Sequence, residues 1–405
     1  MLTTCTLPVR YLLLMIQKVR LTQVITRLIV GGAQETAIET CKYINSSRFD
    51  AGIISGPQTG PEGELISAVQ KSDIPLTIID ELVREPAWKK DFAALGKLIR
   101  LFRASKPHIV HTNSSKAGIL GRWAAKFANV PVIVHTVHGW GHTTHKTALS
   151  RMLFTFLERA TAPITDRLIV VSHLNAERGL QDGIGKKDQY ITIHSSIDLD
   201  PFLQCPGDSR PLKQNLGINP DALLVGTVGR LSKQKNPLDF VRVAEQVKKH
   251  VPEAQFIFVG DGPLRAETEQ LVAQSNFSQD VFLPGIRNDI PALLNCMDVF
   301  IMTSLWEGLP RVIPQAMATG RPVVANAVDG VCEIIQEGEN GFLIPPRDTS
   351  LMAQRIVRLL QDASQRKKMG ETGRRTATTG FSVWDMISRL ETLYEELLTE
   401  KAVIV

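Results

Sequence analysis

The chain has 405 residues, 43% of them apolar and 21% charged, with a formal net charge of +5. That length exceeds one ordinary domain and calls for two or three, and the composition excludes a disordered protein. Five scattered cysteines (Cys5, Cys41, Cys205, Cys296, Cys332), with no Cys-x-x-Cys among them, exclude a disulfide frame or zinc knuckle and argue for a reducing compartment.

In chain order, the first feature is an apolar run, Tyr11-Leu-Leu-Leu-Met-Ile16, between Arg10 and Lys18. It is too short to cross a bilayer or to form the core of a signal peptide, and no other stretch reaches spanning length. Residues 1–17 therefore read as an extension ahead of the fold, with Met15 an alternative start. From Arg20 onward, short β signals at 20–25, 51–54, 76–79, 109–112, 132–136 and 168–171 alternate with helical segments. Such alternation is the signature of a parallel, doubly wound sheet. After the first strand, Gly31-Gly32-Ala33 opens a helix running to about Ile44. Trp88 to Lys106 reads as a helix, with Trp88, Phe92, Leu95, Ile99 and Phe102 on one face and Lys89, Lys90, Lys97, Arg100 and Arg103 on another. Such a helix either packs on the core with a solvated basic face or rests on an anionic membrane. Asn113-Ser114-Ser115-Lys116 follows the fourth strand and so faces the ligand-binding edge, where Lys116 could meet an acceptor phosphate.

Residues 198–220 gather four prolines and two glycines, the composition of a linker. The rhythm then restarts, with strands at 223–228, 255–259, 281–283, 299–303, 322–325 and 342–344 and helices at 351–360 and 383–398. The expected organisation is an extension (1–17), a Rossmann-like domain (18–200), a linker (201–220), a second Rossmann-like domain (221–380) and a terminal helix (381–405) that crosses back to the first. Ligands of open α/β sheets bind at the carboxyl ends of strands, so two facing sheets make a cleft. Charge is uneven: residues 1–205 hold 24 Lys and Arg against 17 Asp and Glu, the remainder 22 against 24. A basic half fits an anionic partner such as a lipid surface, and equally fits ordinary surface variation.

The chemistry concentrates in two loops of the second domain. Gly229-Arg230-Leu-Ser-Lys-Gln-Lys235 joins a strand to a helix opened by Pro237; a guanidinium suits two phosphate oxygens and a lysine supplies a mobile charge. Ser304-Leu-Trp-Glu307-Gly308-Leu309-Pro310-Arg311 places a carboxylate at the mouth of a helix read as starting at Pro310. A helix mouth offers free backbone N–H groups and partial positive charge. A phosphate seat beside a hydroxyl acceptor suggests a nucleotide-sugar. Asp261, in Val259-Gly-Asp-Gly-Pro263, reads as a plain turn. Asp198-Leu-Asp200 has the form of a metal-binding Asp-x-Asp but lies at the linker. His135, His138, His142 and His145 lack a His-Glu-x-x-His pattern or an acidic partner, so no metal or cofactor is expected.

Gly-Arg-Leu-x4-Lys, Val-Gly-Asp-Gly-Pro-Leu, Pro-Gly-Ile-Arg287-x-Asp-Ile and Ser-x2-Glu-Gly-Leu-Pro, in this order, resemble the family-4 retaining glycosyltransferases of GT-B fold. Val30-Gly-Gly-Ala-Gln34, Ile109-Val-His-Thr112, Val137-His-Gly-Trp140 and Val170-Val-Ser172 extend the resemblance over about residues 20–398. The resemblance implies that Arg230 and Lys235 hold the donor diphosphate and stabilise the leaving group. It also implies that Glu307 and His138 contact the donor sugar, and that Gly31 and Gly32 let the backbone approach the diphosphate. Gly229, Gly308, Leu309 and Arg287 fall within the matching donor-site motifs, and Asn113, Ser114 and Lys116 are assigned to the acceptor. Three positions depart. Gln315 stands where a second carboxylate usually binds the ribose; His194-Ser-Ser-Ile-Asp198 replaces Pro-Asn-Gly-Ile-Asp; Asn236 replaces glycine. Gln keeps a carbonyl acceptor but loses the charge.

The implied enzyme is cytoplasmic, works at the inner face of the membrane and needs no metal. It moves a sugar, UDP-linked by default, to a glycan or polyprenyl-linked acceptor with retention, through a same-face displacement. No nucleic-acid partner is expected. The rival readings are a nucleotide-sugar 2-epimerase, which needs cleft carboxylates, a catalytically silent nucleotide-sugar binder, which Gln315 would permit, and a two-lobed solute-binding protein, which needs an export signal.

Overall fold

The computed structural model describes residues 17–29, 31–58, 65–140, 147–205 and 208–403. The extension up to residue 16, with Met15 and Cys5, lies outside the described residues, as do Val30, His142 and His145.

Two wholly parallel sheets carry the chain. The first is built from β1 (Val19–Ile25), β2 (Phe49–Ser55), β3 (Leu76–Ile78), β4 (Ile109–Asn113), β5 (Val132–Val137), β6 (Arg167–Val170) and β7 (Tyr190–Thr192), in the order β3-β2-β1-β4-β5-β6-β7. The second is built from β8 (Leu224–Val228), β9 (Gln255–Val259), β10 (Val281–Gly285), β11 (Val299–Met302), β12 (Val323–Asn326) and β13 (Gly341–Ile344), in the order β10-β9-β8-β11-β12-β13. β4, β5, β11 and β12 are buried at every residue, as strands covered by helices on both faces must be. Strand order reverses between β1 and β4 in one sheet and between β8 and β11 in the other. Such reversals open the crevices in which α/β proteins bind ligands. The loops leaving these four strands are the Gly31–Gly32 turn, Asn113–Ser114, Gly229–Lys235 and Ser304–Arg311. The fold thus gathers the motif loops at two facing switch points.

The chain passes between the domains twice, and the two passages run side by side. Ile197 bridges to Ser382, and the Ile197 N–H donates to the Phe381 carbonyl at 3.0 Å. Helix Val383–Glu400 then buries Leu390, Leu393 and Tyr394 among Val19, Leu21, Phe49 and Ile109 of the first sheet.

Several local expectations change. Residues 201–220 are not a free linker: helices Asp200–Leu203 and Arg210–Asn215 form there, and Phe202 and Ile218 join the second domain's core. Their apolar residues outweigh the Pro/Gly signal that suggested a linker. The helix after Glu307 spans Val312–Ala318, so Pro310 precedes it rather than opening it. Helix Trp88–Ser105 buries Ala94, Leu98 and Phe102, while Trp88 and Phe92 are 68% and 71% exposed. The small Ala94 lets the helix sit close on that stripe, which turns its first-turn aromatic residues outward. β7 and helix Ala363–Gly380 were absent from the sequence reading; the first is three residues long and the second is rich in Thr, Gly and charge, with weak apolar periodicity.

Candidate active site

A cleft of about 400 Å³ separates the two switch points. From the first domain it is lined by Gly31, Gly32, Glu35 and His138, and from the second by Gly229, Gln234, Lys235, Glu307, Gly308, Leu309, Arg311 and Gln315. Residues more than 270 positions apart therefore share one wall.

At its base, Lys235 Nζ lies 2.6 Å from Glu307 Oε1. The Glu307 side chain is only 7% exposed. Gln234 Nε2 donates to the Trp306 carbonyl at 2.9 Å and reaches Glu307 Oε2 at 3.4 Å. Asp329 Oδ2 accepts from the Glu307 N–H at 2.8 Å. The carboxylate is thus held from the side chain and from the backbone. Arg230, on the same loop as Lys235, is exposed and is not among the residues that line the cleft.

The roof of the cleft is His138. Its Nε2 donates to Asn113 Oδ1 at 2.9 Å. Asn113 Nδ2 donates to Gln23 Oε1 at 2.8 Å, and Gln23 Nε2 lies 3.2 Å from His111 Nδ1. His111 in turn meets the Tyr394 hydroxyl and the Thr136 hydroxyl, both at 2.6 Å. A buried polar chain therefore runs from the cleft to the C-terminal helix. Burial, helped by the Arg311 charge, pushes the His138 pKa down to about 3. Burial, helped by His138, pushes His111 down to about 3, and burial with the Arg122 charge holds His135 well below the usual imidazole range. His138 is thus a neutral ring with its donor committed to Asn113.

Two contacts close the cleft. A Cβ on Gly308 would sit 2.0 Å from the His138 carbonyl oxygen, so only glycine lets these loops touch. Arg311 Nη2 lies 2.5 Å from Glu39 Oε1 and 3.4 Å from Glu35 Oε2, joining the second domain to the helix that follows Gly31. Burial raises the Glu39 pKa, and the Arg311 charge opposes that rise. The sequence reading assigned Arg311 no role; the signal was the pair of glutamates four residues apart on helix Gly32–Tyr43. Gln23, His111, Tyr394 and Ser195, which also lines the cleft, were missed too: Gln23 and Tyr394 have no motif around them, and His111 and Ser195 stand in motif segments that assigned them no role.

Four residues assigned from sequence lie elsewhere. Arg287 forms a fork with Asp289 at 2.8 and 2.6 Å and does not line the cleft. Lys116 is tied to Asp91 at 2.6 Å and to the Glu85 carbonyl, so its charge is already neutralised. Asn113 is buried as the support of His138, and the Ser114 hydroxyl is bonded to Thr26 at 2.8 Å. These three steady the first-domain loop rather than face an acceptor. Asp198 accepts from the Tyr43 hydroxyl at 2.7 Å and caps the Asp200 N–H, so the Asp-x-Asp is a structural turn.

Two parallel Rossmann-like domains meeting at their switch points over a basic and acidic cleft define a GT-B glycosyltransferase. The comparisons with known proteins agree. Residues 30–201 match the model "Glycosyltransferase Family 4", and residues 208–376 match "Glycosyl transferases group 1". The chain is 30% identical over 390 residues to an Escherichia coli UDP-Gal:alpha-D-GlcNAc-diphosphoundecaprenol alpha-1,3-galactosyltransferase, covering 95% of this chain and 98% of that one. It is 25% identical over 368 residues to the capsular polysaccharide biosynthesis glycosyltransferase CapM of Staphylococcus aureus, covering 89% and 93%. Among solved structures, Anabaena HepE in complex with UDP and glucose superposes with a TM-score of 0.80 at 23% identity, covering 93% of this chain and all of that one. The chain belongs to the family-4 glycosyltransferases and is a retaining enzyme. No described helix is long and apolar enough to cross a membrane.

The neutral histidines set a pH dependence. In the unfolded chain each takes up a proton near pH 6.5, whereas in the fold His111 and His138 do so only near 3. Between those values the unfolded state binds more protons, so stability is full above about pH 6.5 and falls as the pH is lowered. The urea midpoint should fall between pH 7 and pH 5, and His111→Asn should flatten that slope; a midpoint constant over this range would refute it.

Proposed function

We propose that the chain transfers a sugar from a UDP-sugar to a lipid-linked glycan of cell-surface polysaccharide assembly, in the cytoplasm at the inner membrane face. The observation that carries this reading is the Lys235–Glu307 pair, placed where both switch points meet. An ammonium has three donors. One serves Glu307, leaving two for the oxygens of a diphosphate, with the Arg230 guanidinium, from the same loop, assigned to the same group. Glu307 keeps Oε2 for sugar hydroxyls. His138 supplies a neutral polar ring, Gly31 and Gly32 admit the diphosphate to the backbone, and the Gln315 carbonyl serves the ribose.

In the step itself, the bond from the anomeric carbon to the diphosphate oxygen breaks. The acceptor oxygen bonds the same face of that carbon, and its proton passes to the departing diphosphate oxygen. Arg230 and Lys235 stabilise the charge that develops there. Names of relatives support the donor and acceptor classes: one is called a UDP-galactose-dependent transferase to a diphosphoundecaprenol-linked sugar. The described cysteines are all free thiols, which suits a reducing compartment.

A lipid-linked acceptor also needs a bilayer within reach, and helix Ala148–Thr161 supports such a contact. Its polar side faces inward: Glu158 Oε2 lies 2.6 Å from the fully buried Arg122, and Thr161 accepts from Trp123. Its apolar stripe faces outward, with Leu149 79% and Phe156 65% exposed beside Met152 and Leu153. From Pro86 to Ala160 the sequence carries twelve Lys and Arg against two Asp and Glu. Apolar side chains set in such a basic field suit an anionic lipid surface.

With a panel of UDP-sugars and lipid-linked acceptors, Arg230→Ala should lower kcat about 10²–10³-fold at an unchanged melting temperature. Near-normal turnover would remove the assignment, and donor binding with no nucleotide release by the unaltered chain would favour the silent binder. Gln315→Glu should lower the KM for donor with little change in kcat, because a charge-assisted hydrogen bond to the ribose is stronger; an unchanged or higher KM would place the ribose elsewhere. In flotation at low salt, the chain should rise with anionic vesicles, and Leu153→Glu with Phe156→Glu should leave it at the bottom while UDP affinity is retained. Failure of the unaltered chain to float would refute the bilayer contact.

A further inference from the structure

Outside the cleft, three side chains suited to metal binding meet where the chain passes between the domains. His173 opens helix His173–Gln181 after β6, and His194 lies on the first crossing after β7. Glu333 belongs to helix Val331–Ile334 of the second domain. One ligand atom from each lies within 4.8 Å of the others. His194 occupies the departure from the family pattern noted above, and neither the donor site nor the acceptor site uses it.

Each of the three is already oriented. The Glu333 carboxylate accepts from the backbone N–H of His173 at 3.0 Å and of Leu174 at 2.9 Å. Both oxygens are fixed by these bonds, and each retains a further lone pair. The His194 ring stacks on Phe381, with 5.7 Å between centroids, and its Nε2 stands 3.7 Å from Glu333 Oε2. That nitrogen is buried and has no hydrogen-bond partner among the described residues. His173 Nδ1 lies 3.2 Å from the Thr192 hydroxyl. A ring N–H donated there leaves Nε2 with the lone pair, the arrangement by which metal-ligating histidines are commonly held. A cross-domain helix cap alone accounts for Glu333, but it leaves the buried His194 nitrogen 3.7 Å from that carboxylate, beyond hydrogen-bond reach.

We propose that His173, His194 and Glu333 form a divalent transition-metal site, suited to Zn²⁺, that joins the two domains at their hinge. Two imidazoles and one carboxylate match the zinc ligand set, with the fourth position left to water. Hard ions such as Mg²⁺, which prefer oxygen ligands, are disfavoured by the two nitrogens. Zinc–ligand bonds of about 2 Å require a small inward movement of these groups, which the exposed position of His173 allows. Because the ligands come from both domains, the ion binds only when they are apposed and so favours apposition. Ser195, next to His194, lines the donor cleft. An ion that shifts this crossing would alter donor affinity, and the donor would then alter the ion's by the same factor.

The test uses the full chain stripped with a chelator. Isothermal titration should show one equivalent of Zn²⁺ and no comparable binding of Mg²⁺. Co²⁺ in place of zinc should give the intense visible absorption of a four-coordinate site. His173→Ala, at an exposed position that leaves the fold intact, should weaken Zn²⁺ at least about tenfold, as loss of a ligand must cost no less than loss of its outer support. Glu333→Gln should do the same and abolish the Co²⁺ band. Absence of Zn²⁺ binding, or wild-type affinity in His173→Ala, would overturn the site; wild-type affinity in Glu333→Gln would overturn its bridging of the domains.

Discussion

The structure turns on how closely two backbones approach. Gly308 of the second domain lies against the carbonyl of His138 of the first, at a separation that leaves no room for a side chain. Neither domain carries a whole site. The first brings a neutral histidine and a glycine turn; the second brings a lysine and a carboxylate. Only at this contact do they face the same cleft. Arg311, reaching Glu39 at 2.5 Å, adds a charged tie beside it. The tie is largely buried, so its attraction is little screened, but the desolvation of both groups offsets much of that gain. Such a contact holds the domains together without making their union permanent, as an enzyme that must admit a donor and release a nucleotide requires.

The second constraint is the cost of a polar group in a dry place. His138 is useful as a neutral ring only if its donor and orientation are settled. The chain Asn113, Gln23, His111 and Tyr394 does this by giving each buried polar atom a partner. A half-satisfied chain would be worse than an apolar core. This also explains why the last helix returns to the first domain: Tyr394 ends the chain that begins at the cleft, while Leu390 and Leu393 cover the sheet behind it.

The sequence reading and the structure agree most where a residue's neighbours along the chain determine its place. Gly31, Gly229, Lys235 and Glu307 sit in strand-to-helix loops and Gln315 in the first turn of the helix that follows one of them, and the carboxyl ends of parallel strands all face one edge, so placing the strands placed these residues. Expectation failed where a partner came from far along the chain. Lys116 looked free until Asp91, on the preceding helix, neutralised it; Arg287 failed for a different reason, since its partner Asp289 is only two positions on and stood in the same motif. Trp88 and Phe92 looked like core because they share a helical face with Phe102, but the small Ala94 on an adjoining stripe packs more closely. Helix Ala363–Gly380 was hard to see because half of its buried face, Met369, Gly370, Gly373 and Ala377, is glycine, at which a Cβ would come within 2.0 Å of the Gly320 carbonyl and 3.2 Å of Met317. Close packing through glycine weakens the apolar periodicity that could be read.

Gln315 joins these strands of argument. It lines the cleft at the point where the second carboxylate would stand, only eight positions after Glu307 and on the wall that also carries Lys235. Two carboxylates there would share one nearby ammonium, and one of them would raise the other's cost of ionisation. With Gln315 in place, Lys235 answers to Glu307 alone, at 2.6 Å, and the pair is balanced before any donor arrives. In the proposed reading, where Gln315 meets the ribose, the amide gives up strength there but leaves the charge beside Lys235 defined by a single acid and a single base. On that reading the loss falls on donor affinity rather than on the reacting groups, so a missing carboxylate is compatible with a working transferase.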